Sequence, residues 1–288
     1  MDRAMLRTSH FHKYSALGND YLVLDPGAID ARALTPQRIR AICDRHRGVG
    51  ADGIVVGPQI DATGQMSIRI FNPDGSEAEK SGNGIRIFAR YAFDAGYVTR
   101  APFTLATRGG GVTVRILDDM AGLIAVDMGK PSFRSGDIPM TGPDREVVDE
   151  TLAVGAEALQ VTCVSMGNPH CVVFLDEVSV ERVMRLGPLL EHAPSFPRRA
   201  NVQFAQALDE RTLAIQIWER GAGYTLASGS SSCAAASAAR RLGLVGDSVE
   251  VQMPGGSLTV EFQPDGHALL TGPVSGIAHG FFDADLLP

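Results

Sequence analysis

The chain has few cysteines, no long apolar run and no excess of positive charge. No CxxC spacing is found among its four cysteines, Cys43, Cys163, Cys171 and Cys233, which argues against a disulfide framework or a metal site. Reduced thiols, most of them small core residues, favour a cytoplasmic protein. The net charge of −7 argues against nucleic-acid partners, because phosphate contacts need clustered lysine and arginine.

Apolar runs such as CVVFL are too short to cross a membrane, so no membrane partner is expected. The first fifteen residues, MDRAMLRTSHFHKYS, lack the apolar core of a signal peptide and are expected to form a short ragged extension. With 288 residues, 44% of them hydrophobic, the chain can form one large domain or two ordinary ones.

Two pairs of short motifs repeat along the chain. A Gly-Asn pair precedes an apolar strand at Gly18-Asn19 and again at Gly167-Asn168. A Ser-Gly pair precedes a helical run at Ser81-Gly82 and again at Ser228-Gly229, at nearly the same distance from its Gly-Asn pair. Self-similarity over half a chain length predicts a duplicated domain, although a coincidence of dipeptides remains an alternative.

Short β-branched segments bounded by Gly, Pro or Asp predict strands in both halves, among them YLVLD, GIVVG, MSIRIF and GVTVRIL, then CVVFL, ANVQFAQAL, TLAIQIWERG and SLTVEFQ. A helix is also predicted over TPQRIRAICDRH. After Ser81, the spacing of Ile85, Phe88, Ala89 and Ala92 predicts one helical face, and Gly96 ends that helix. The helix after Ser228 is alanine-rich up to Arg240-Arg241. Each half is therefore predicted to be a mostly antiparallel sheet around a central helix, with the crossing between halves at 131–143.

Two further patterns are weak. Gly48, Gly50 and Gly53 match GxGxxG, but they follow an expected helix and precede an expected strand, which is the reverse of a nucleotide fingerprint. His10 and His12 resemble half of a metal site without partners, so a strand edge or tail is the simpler interpretation.

Serine before a helix is ordinarily an N-cap. Two helix starts facing one cleft would also bind a carboxylate between their free N–H groups. Ser81 and Ser228 would then lie on opposite faces of the carbon beside that carboxylate, which is the geometry for removing a proton from one face and returning one to the other. Amide donors there would stabilise the developing negative charge.

Other polar residues suit such a cleft. Amides occur at strand ends or loops at four positions, Asn19, Asn72, Asn168 and Asn201. Glu219 and Arg220 offer an acid beside a bidentate carboxylate-binding group. The alternative is that each asparagine forms a turn and that Glu219 and Arg220 form a solvated pair. Their placement relative to both repeats favours a ligand.

At these residues the chain resembles the diaminopimelate epimerase family. The matching stretches are KYSALGNDYLVLD, RGVGADG, FNPDGSEAEKSGNGIRIFAR, MGNPH, ANVQF and WERGAGYTLASGSSSCAAA. The resemblance implies an α/β (α+β) fold of two pseudo-symmetric domains, 1–129 plus 274–288 and 130–273. It also implies a cofactor-independent isomerase of lysine and peptidoglycan precursor synthesis, acting as a homodimer on a small amino acid.

The resemblance implies substrate contacts at Asn19, Asn72, Gly82, Asn83, Asn168, Asn201, Glu219, Arg220, Gly229 and Ser230. It places His170 beside the reacting centre, and it places the family's two catalytic cysteines at Ser81 and Ser228. The chain also departs from the family at Tyr224, where glutamate is typical, and at Ser231-Ser232, where Gly-Ala is typical.

The loss of both thiols matters because a serine hydroxyl ionises far less readily than a thiol, whose pKa is about 8.5. His170 and Glu219 are the candidate groups for activating the serines, whereas Cys233 is expected in the helix core. Three hypotheses follow. The first is a diaminopimelate epimerase-like isomerase, the second a non-catalytic amino-acid-binding relative, and the third a different α-proton isomerase or dehydratase of the same fold.

Overall fold

A computed structural model describes residues 10–26, 34–155 and 157–286. The chain divides into two compact units. The first comprises Met1–Val126 with Gly272–Pro288, and the second comprises Asp127–Thr271. The N-terminal extension expected from the sequence lies largely outside the described residues.

The described residues of the first half form eight strands and two helices. In chain order these are β1 (His10–Ala16), β2 (Asn19–Leu24), α1 (Pro36–Cys43), β3 (Gly53–Ile60), β4 (Met66–Phe71), β5 (Glu77–Ala78), α2 (Gly82–Asp94), β6 (Phe103–Thr107), β7 (Gly110–Ile116) and β8 (Leu123–Asp127).

The second half contributes β9 (Glu150–Val154), β10 (Glu157–Ser165), β11 (Pro169–Phe174), α3 (Val180–Glu191), β12 (Asn201–Asp209), β13 (Thr212–Glu219), β14 (Gly223–Thr225), α4 (Gly229–Arg241), β15 (Ser248–Met253), β16 (Gly256–Phe262) and β17 (Ala268–Pro273). The chain then forms β18 (Ser275–Phe281) and a 3₁₀ turn, Ala284–Leu286. β18 pairs antiparallel with β1 and so belongs to the first unit.

The same pairing pattern occurs in both units. β1–β2 and β10–β11 are antiparallel, whereas β2–β3 and β11–β12 are parallel. β3–β4 and β12–β13 are antiparallel, and the parallel pairs β4–β6 and β13–β15 follow. Each parallel pair is joined through a helix, because parallel strands need a crossover connection. This repetition confirms the predicted mixed α/β class and the duplication.

The central helices α2 and α4 begin where the sequence predicts. Ser81 and Ser228 are N-cap residues with extended backbone conformations. On α2, the predicted apolar face is fully buried; it consists of Ile85, Phe88, Ala89 and Ala92. Gly96 adopts a positive φ of 78° just past the helix end, a conformation that glycine adopts without strain. α4 buries five alanines, whose small side chains let the surrounding strands pack closely.

Each unit also contains a peripheral helix. The N-cap of α1 is Thr35, the first residue of the predicted helix, and its side chain accepts a hydrogen bond from the Arg38 N–H. The sequence does not predict α3, because Gly187 and Pro188 lie inside it and both normally indicate a loop. Gly187 is required by packing, since a Cβ there would come within 2.7 Å of Cγ of Trp218.

The cysteines and the glycine-rich stretch behave as expected. All four cysteines are buried, including Cys233 inside α4. The RGVGADG stretch follows α1 and leads into β3, so it is a helix-to-strand turn. His10 and His12 lie on β1, within the ladder to β18. No helix in the described part of the chain is both long enough and apolar enough to span a bilayer.

Candidate functional site

The start of α2 is closed by its own N-cap serine. The hydroxyl oxygen of Ser81 accepts a hydrogen bond from the Gly84 N–H at 3.1 Å. Ser81 remains half-buried, while Gly82 and Asn83 after it are buried. The first-turn N–H groups and the helix dipole make this end of α2 electropositive.

A chain of amides connects α2 to β2 in the first unit. The Asn83 amide donates to the Oδ1 atom of Asn19 at 2.9 Å. Asn19 in turn donates to a carboxylate oxygen of Asp52 at 3.1 Å. On the other side, the buried Arg86 donates to the Oδ1 atom of Asn83 at 2.9 Å. Two predicted site residues, Asn19 and Asn83, are therefore held side by side.

Asp52 and Asp20 anchor this chain of amides. Arg45 bridges the two carboxylates, at 2.6 Å to Asp52 and 2.7 Å to Asp20. Lys13 lies 2.8 Å from Asp20. Burial opposes ionisation of Asp20, but the hydrogen bonds from Arg45 and Lys13 outweigh it and lower the pKa of Asp20. The Asp20 carboxylate is consequently ionised where it pairs with Lys13 and Arg45, next to Asn19 at the start of β2.

Asn72 is placed differently from Asn19 and Asn83. It follows β4 directly, and its side-chain amide donates to the Ser76 hydroxyl at 2.9 Å. Its backbone N–H donates to the Ser76 carbonyl at 2.8 Å. The half-buried Asn72 thus closes the turn between β4 and β5, as the turn-forming alternative expects.

The start of α4 differs from that of α2. Ser228 is buried at 3% exposure, yet its side chain makes no capping hydrogen bond to its own helix. The Ser228 carbonyl accepts from the Ser232 backbone N–H at 3.0 Å and from the Ser232 hydroxyl at 2.9 Å. Gly229 is buried and Ser230 half-buried. The Ser228 hydroxyl therefore has no capping role.

His170, on β11, is fully buried and bonded to an amide at each ring nitrogen. Its Nε2 atom lies 2.9 Å from Oδ1 of Asn168, and its Nδ1 atom lies 3.1 Å from Nε2 of Gln203. Burial, reinforced by the positive charge of Arg220, lowers the pKa of His170 to about 3. The imidazole is thus neutral near pH 7 and is a weak base.

Asn201 organises the loop that carries Arg220. Its amide donates to the Pro169 carbonyl at 3.0 Å, and its Oδ1 atom accepts from the Arg220 backbone N–H at 3.0 Å. The guanidinium of Arg220 donates to the Arg198 carbonyl at 3.4 Å, and both Glu219 and Arg220 are half-buried. Asn168, His170, Asn201 and Arg220 thus form one connected group.

The described residues contain no group of three or more His, Cys, Asp or Glu side chains able to hold a metal ion. Within each unit, the arrangement consists of a serine at a helix start, a set of fixed amides and, in the second unit, an arginine.

Residues 11–134 and 162–277 match the model of the diaminopimelate epimerase family. The chain is 48% identical over 276 residues to diaminopimelate epimerase 2 of Nostoc sp., covering 96% of each chain. It is 41% identical over 281 residues to the diaminopimelate epimerase of Moorella thermoacetica, covering 96% of this chain and all of the relative. The chain belongs to the diaminopimelate epimerase family.

More distant solved structures share the fold of this diaminopimelate epimerase family member. A hydroxyproline epimerase from Agrobacterium vitis superposes with a TM-score of 0.71 at 15% identity, over 95% of this chain and 92% of that one. A methylitaconate-delta-isomerase superposes with a TM-score of 0.62 at 14% identity, over 97% of each chain. At these identities the likeness shows the fold alone.

Two buried polar residues of the second unit, Gln203 and Glu191, were not predicted from the sequence. Gln203 lies two residues beyond Asn201 on β12 and bonds both His170 and Ser231. Glu191, at the end of α3, accepts from the Trp218 indole at 2.7 Å and from the Gly221 N–H at 3.0 Å. Gln203 could have been found from the sequence, because it lies two residues after Asn201 and so on the same face of the strand. Glu191 could not, because it belongs to a helix that the sequence does not predict.

Tyr224 also has a structural role in this family member. Its hydroxyl donates to Oε1 of Gln216 at 2.8 Å, across the β13–β14 pair. The resemblance implies an acidic side chain at this position. The chain instead has a neutral phenol that is hydrogen-bonded to the neighbouring strand.

Proposed function

We propose that this protein is a diaminopimelate epimerase-like isomerase that inverts an amino-acid α-carbon without a cofactor, with Ser81 and Ser228 in the acid and base positions. The proposal places it in lysine biosynthesis, as a cytoplasmic homodimer. Family membership over most of the chain supports the reaction class. The observation that carries the proposal is that each central helix begins at an N-cap serine. In each unit, asparagine side chains predicted for the site are also fixed by hydrogen bonds.

In this proposal one serine removes a proton from the α-carbon and the other serine donates one. One serine, as the alkoxide, removes the α-proton and becomes a hydroxyl. The electron pair left on the α-carbon delocalises into the substrate carboxylate, which the first-turn N–H groups of α2 and α4 stabilise. The other serine then gives its proton to the opposite face of the carbon and becomes the alkoxide. The net reaction inverts the carbon and consumes nothing.

The substrate contacts proposed are the amide and helix-start positions together with Arg220: Asn19, Asn72, Gly82, Asn83, Asn168, Asn201, Glu219, Arg220, Gly229 and Ser230. Arg220 would bind the distant carboxylate of a dicarboxylic substrate, because a planar guanidinium fork matches a carboxylate with two hydrogen bonds. Glu219 would pair with a substrate ammonium. His170, though proposed beside the reacting centre, would contribute as a neutral hydrogen-bonding group.

A binding protein without turnover is the second candidate. It is favoured by the state of His170, whose ring nitrogens are both engaged by amides and whose pKa is far below neutral. Such a ring is a poor base for activating a serine hydroxyl. Under this alternative the same residues bind the amino acid, but the α-proton stays in place.

The deciding experiment measures α-proton exchange in heavy water with LL- and meso-diaminopimelate, alongside calorimetric binding of both. The isomerase proposal expects slow deuterium incorporation with inversion, and loss of both in the Ser81→Ala and Ser228→Ala variants. Binding without any exchange, in the unmodified protein over long incubation, would establish the second candidate. If the protein neither binds diaminopimelate nor exchanges its α-proton, this substrate class is excluded. A panel of other amino and hydroxy acids would then be tested. Sedimentation of the same samples measures the oligomeric state.

A further inference from the structure

Gln203 occupies an unusual position in the core of the second unit. It is fully buried on β12, and a single atom of its side chain, Nε2, lies 3.1 Å from Nδ1 of His170 and 2.9 Å from the Ser231 hydroxyl. β11 and β12 run parallel with His170 opposite Asn201, so Gln203 is the next residue along on the face shared with His170. Ser231 lies in the first turn of α4, three residues after Ser228.

The amide nitrogen of Gln203 can only donate hydrogen bonds, and this fixes the state of the ring. Its two N–H bonds are used by Nδ1 of His170 and by the Ser231 oxygen. Nδ1 therefore accepts and carries no proton. In a neutral imidazole the proton is then on Nε2, where it donates to Oδ1 of Asn168 at 2.9 Å.

The opposite orientation of the Gln203 amide is less favourable. In the orientation described, only the Oε1 atom of Gln203 has no hydrogen-bond partner among the described residues. Rotating the amide would give that oxygen two partners but would bury two N–H bonds at the position now held by one carbonyl oxygen. Burying unsatisfied polar groups costs free energy for each group, so leaving one acceptor unmatched is preferable to leaving two donors unmatched.

We propose that Gln203 is a positioning residue that holds His170 in the tautomer protonated at Nε2 and ties the ring, through Ser231, to the first turn of α4. The Oδ1 atom of Asn168 accepts the hydrogen bond from Nε2–H, so the chain of donors runs from Gln203 through His170 to the loop before β11. Gln203 thereby determines which group of the Asn168 side chain, the carbonyl oxygen or the NH₂, remains available to a ligand. The tautomer of His170 does not depend on the proposed function. Only the effect on the pH profile of turnover rests on it.

The decisive variant is Gln203→Glu, which keeps the shape of the side chain and removes both donors. An ionised carboxylate can only accept, so a hydrogen bond from it to Nδ1 of His170 requires a proton on that ring nitrogen. Its negative charge beside a buried ring also stabilises the imidazolium and raises the pKa of His170. Gln203→Met removes the amide without adding charge, and Gln206→Glu, on the same strand, is the matched charge control.

The experiment records ¹⁵N spectra of histidine-labelled full-length protein, with the His170 signals assigned among the seven histidines by a His170→Gln variant. We expect an unprotonated, pyridine-like Nδ1 in the unmodified protein and in Gln206→Glu, and a protonated Nδ1 in Gln203→Glu. A protonated Nδ1 in the unmodified protein, or no change of tautomer in Gln203→Glu, would overturn the proposal. Because these spectra need no turnover, they remain decisive even if the isomerase activity is absent.

If the protein turns over, the pH profile adds a second readout. Gln203→Glu should introduce a new acidic limb in kcat/KM, since His170 would titrate within the assay range. A purely structural role would lower the stability of Gln203→Glu and Gln203→Met alike and leave the shape of the pH profile unchanged, which would contradict the proposal.

Discussion

The backbone N–H of Gly84 donates to the hydroxyl oxygen of Ser81 across 3.1 Å, and this hydrogen bond closes the first turn of α2. Ser228, at the equivalent start of α4, makes no such bond. The two serines thus have the same position in the repeated fold but different local roles. Ser81 stabilises its helix, whereas the hydroxyl of Ser228 is left for other partners.

Alanine substitutions should separate these roles. Ser81→Ala removes a side-chain cap and should lower the free energy of unfolding by about 1 kcal/mol. Ser228→Ala removes no cap and should cost clearly less. Urea denaturation of the two variants and the unmodified protein measures the difference. If both variants lose the same free energy of unfolding, the capping hydrogen bond of Ser81 does not stabilise the protein.

Restoring thiols should accelerate any isomerase activity. A thiol ionises far more readily than a serine hydroxyl, and the N-terminus of a helix lowers its pKa further. Positioned acid–base groups contribute about 10²–10⁴-fold to a rate, so the Ser81→Cys, Ser228→Cys double variant should exceed the unmodified protein by at least about 100-fold in α-proton exchange.

The single cysteine variants should each gain little, because inversion needs an acid on one face and a base on the other. Such non-additivity is expected of residues that act as one unit. Brisk epimerisation by the unmodified protein would contradict this account and would imply activation of the serines by Glu219. A double variant that binds diaminopimelate without exchange would implicate Tyr224 and Ser231 instead.

Arg220 should determine the preference for a dicarboxylic ligand. Its truncation to alanine should weaken binding of diaminopimelate by about 2–5 kcal/mol, the usual cost of breaking a desolvated charge pair. The exposed Arg211, in the turn between β12 and β13, provides a control of the same charge change. Calorimetric titration of Arg220→Ala and Arg211→Ala compares them, and unchanged affinity in Arg220→Ala would exclude the proposed contact.

The buried neutral state of His170 should appear in the pH dependence of stability. The folded-state pKa is about 3 and the ordinary value is 6.5, so the unfolded chain binds this proton more readily. His170 therefore destabilises the fold progressively as the pH falls from 6.5 towards 3. At pH 4.5 the penalty relative to pH 7 should be about 2–3 kcal/mol.

A His170→Gln variant tests this directly. It should lose less stability than the unmodified protein between pH 7 and pH 4.5, even though its stability at pH 7 is lower because hydrogen bonds are altered. Urea denaturation at both pH values gives the two differences. Equal pH dependence in the two proteins would mean that the ring is protonated in the folded state.

Features written in local sequence were predictable. Most of the strands and the helices starting at Ser81 and Ser228 follow from residue spacing and capping, and the repetition follows from the paired motifs. β9, β10 and β18 were not predicted. α3 was not predictable, because its Gly187 is retained for contact with Trp218, a residue distant in sequence. Gln203 was likewise hidden, since its partners on β11 and α4 are defined only once the strands pair in register.

The hydrogen bond from Trp218 to Glu191 gives the molecule an intrinsic optical reporter. Trp218 is the single tryptophan of the chain, and the same carboxylate that accepts its indole N–H also accepts the N–H of Gly221, beside Arg220. Displacement of that loop changes the electric field and the hydrogen bonding felt by one indole ring. Emission colour and lifetime therefore follow the Arg220 loop in unlabelled protein, on the timescale of a stopped-flow mixing experiment.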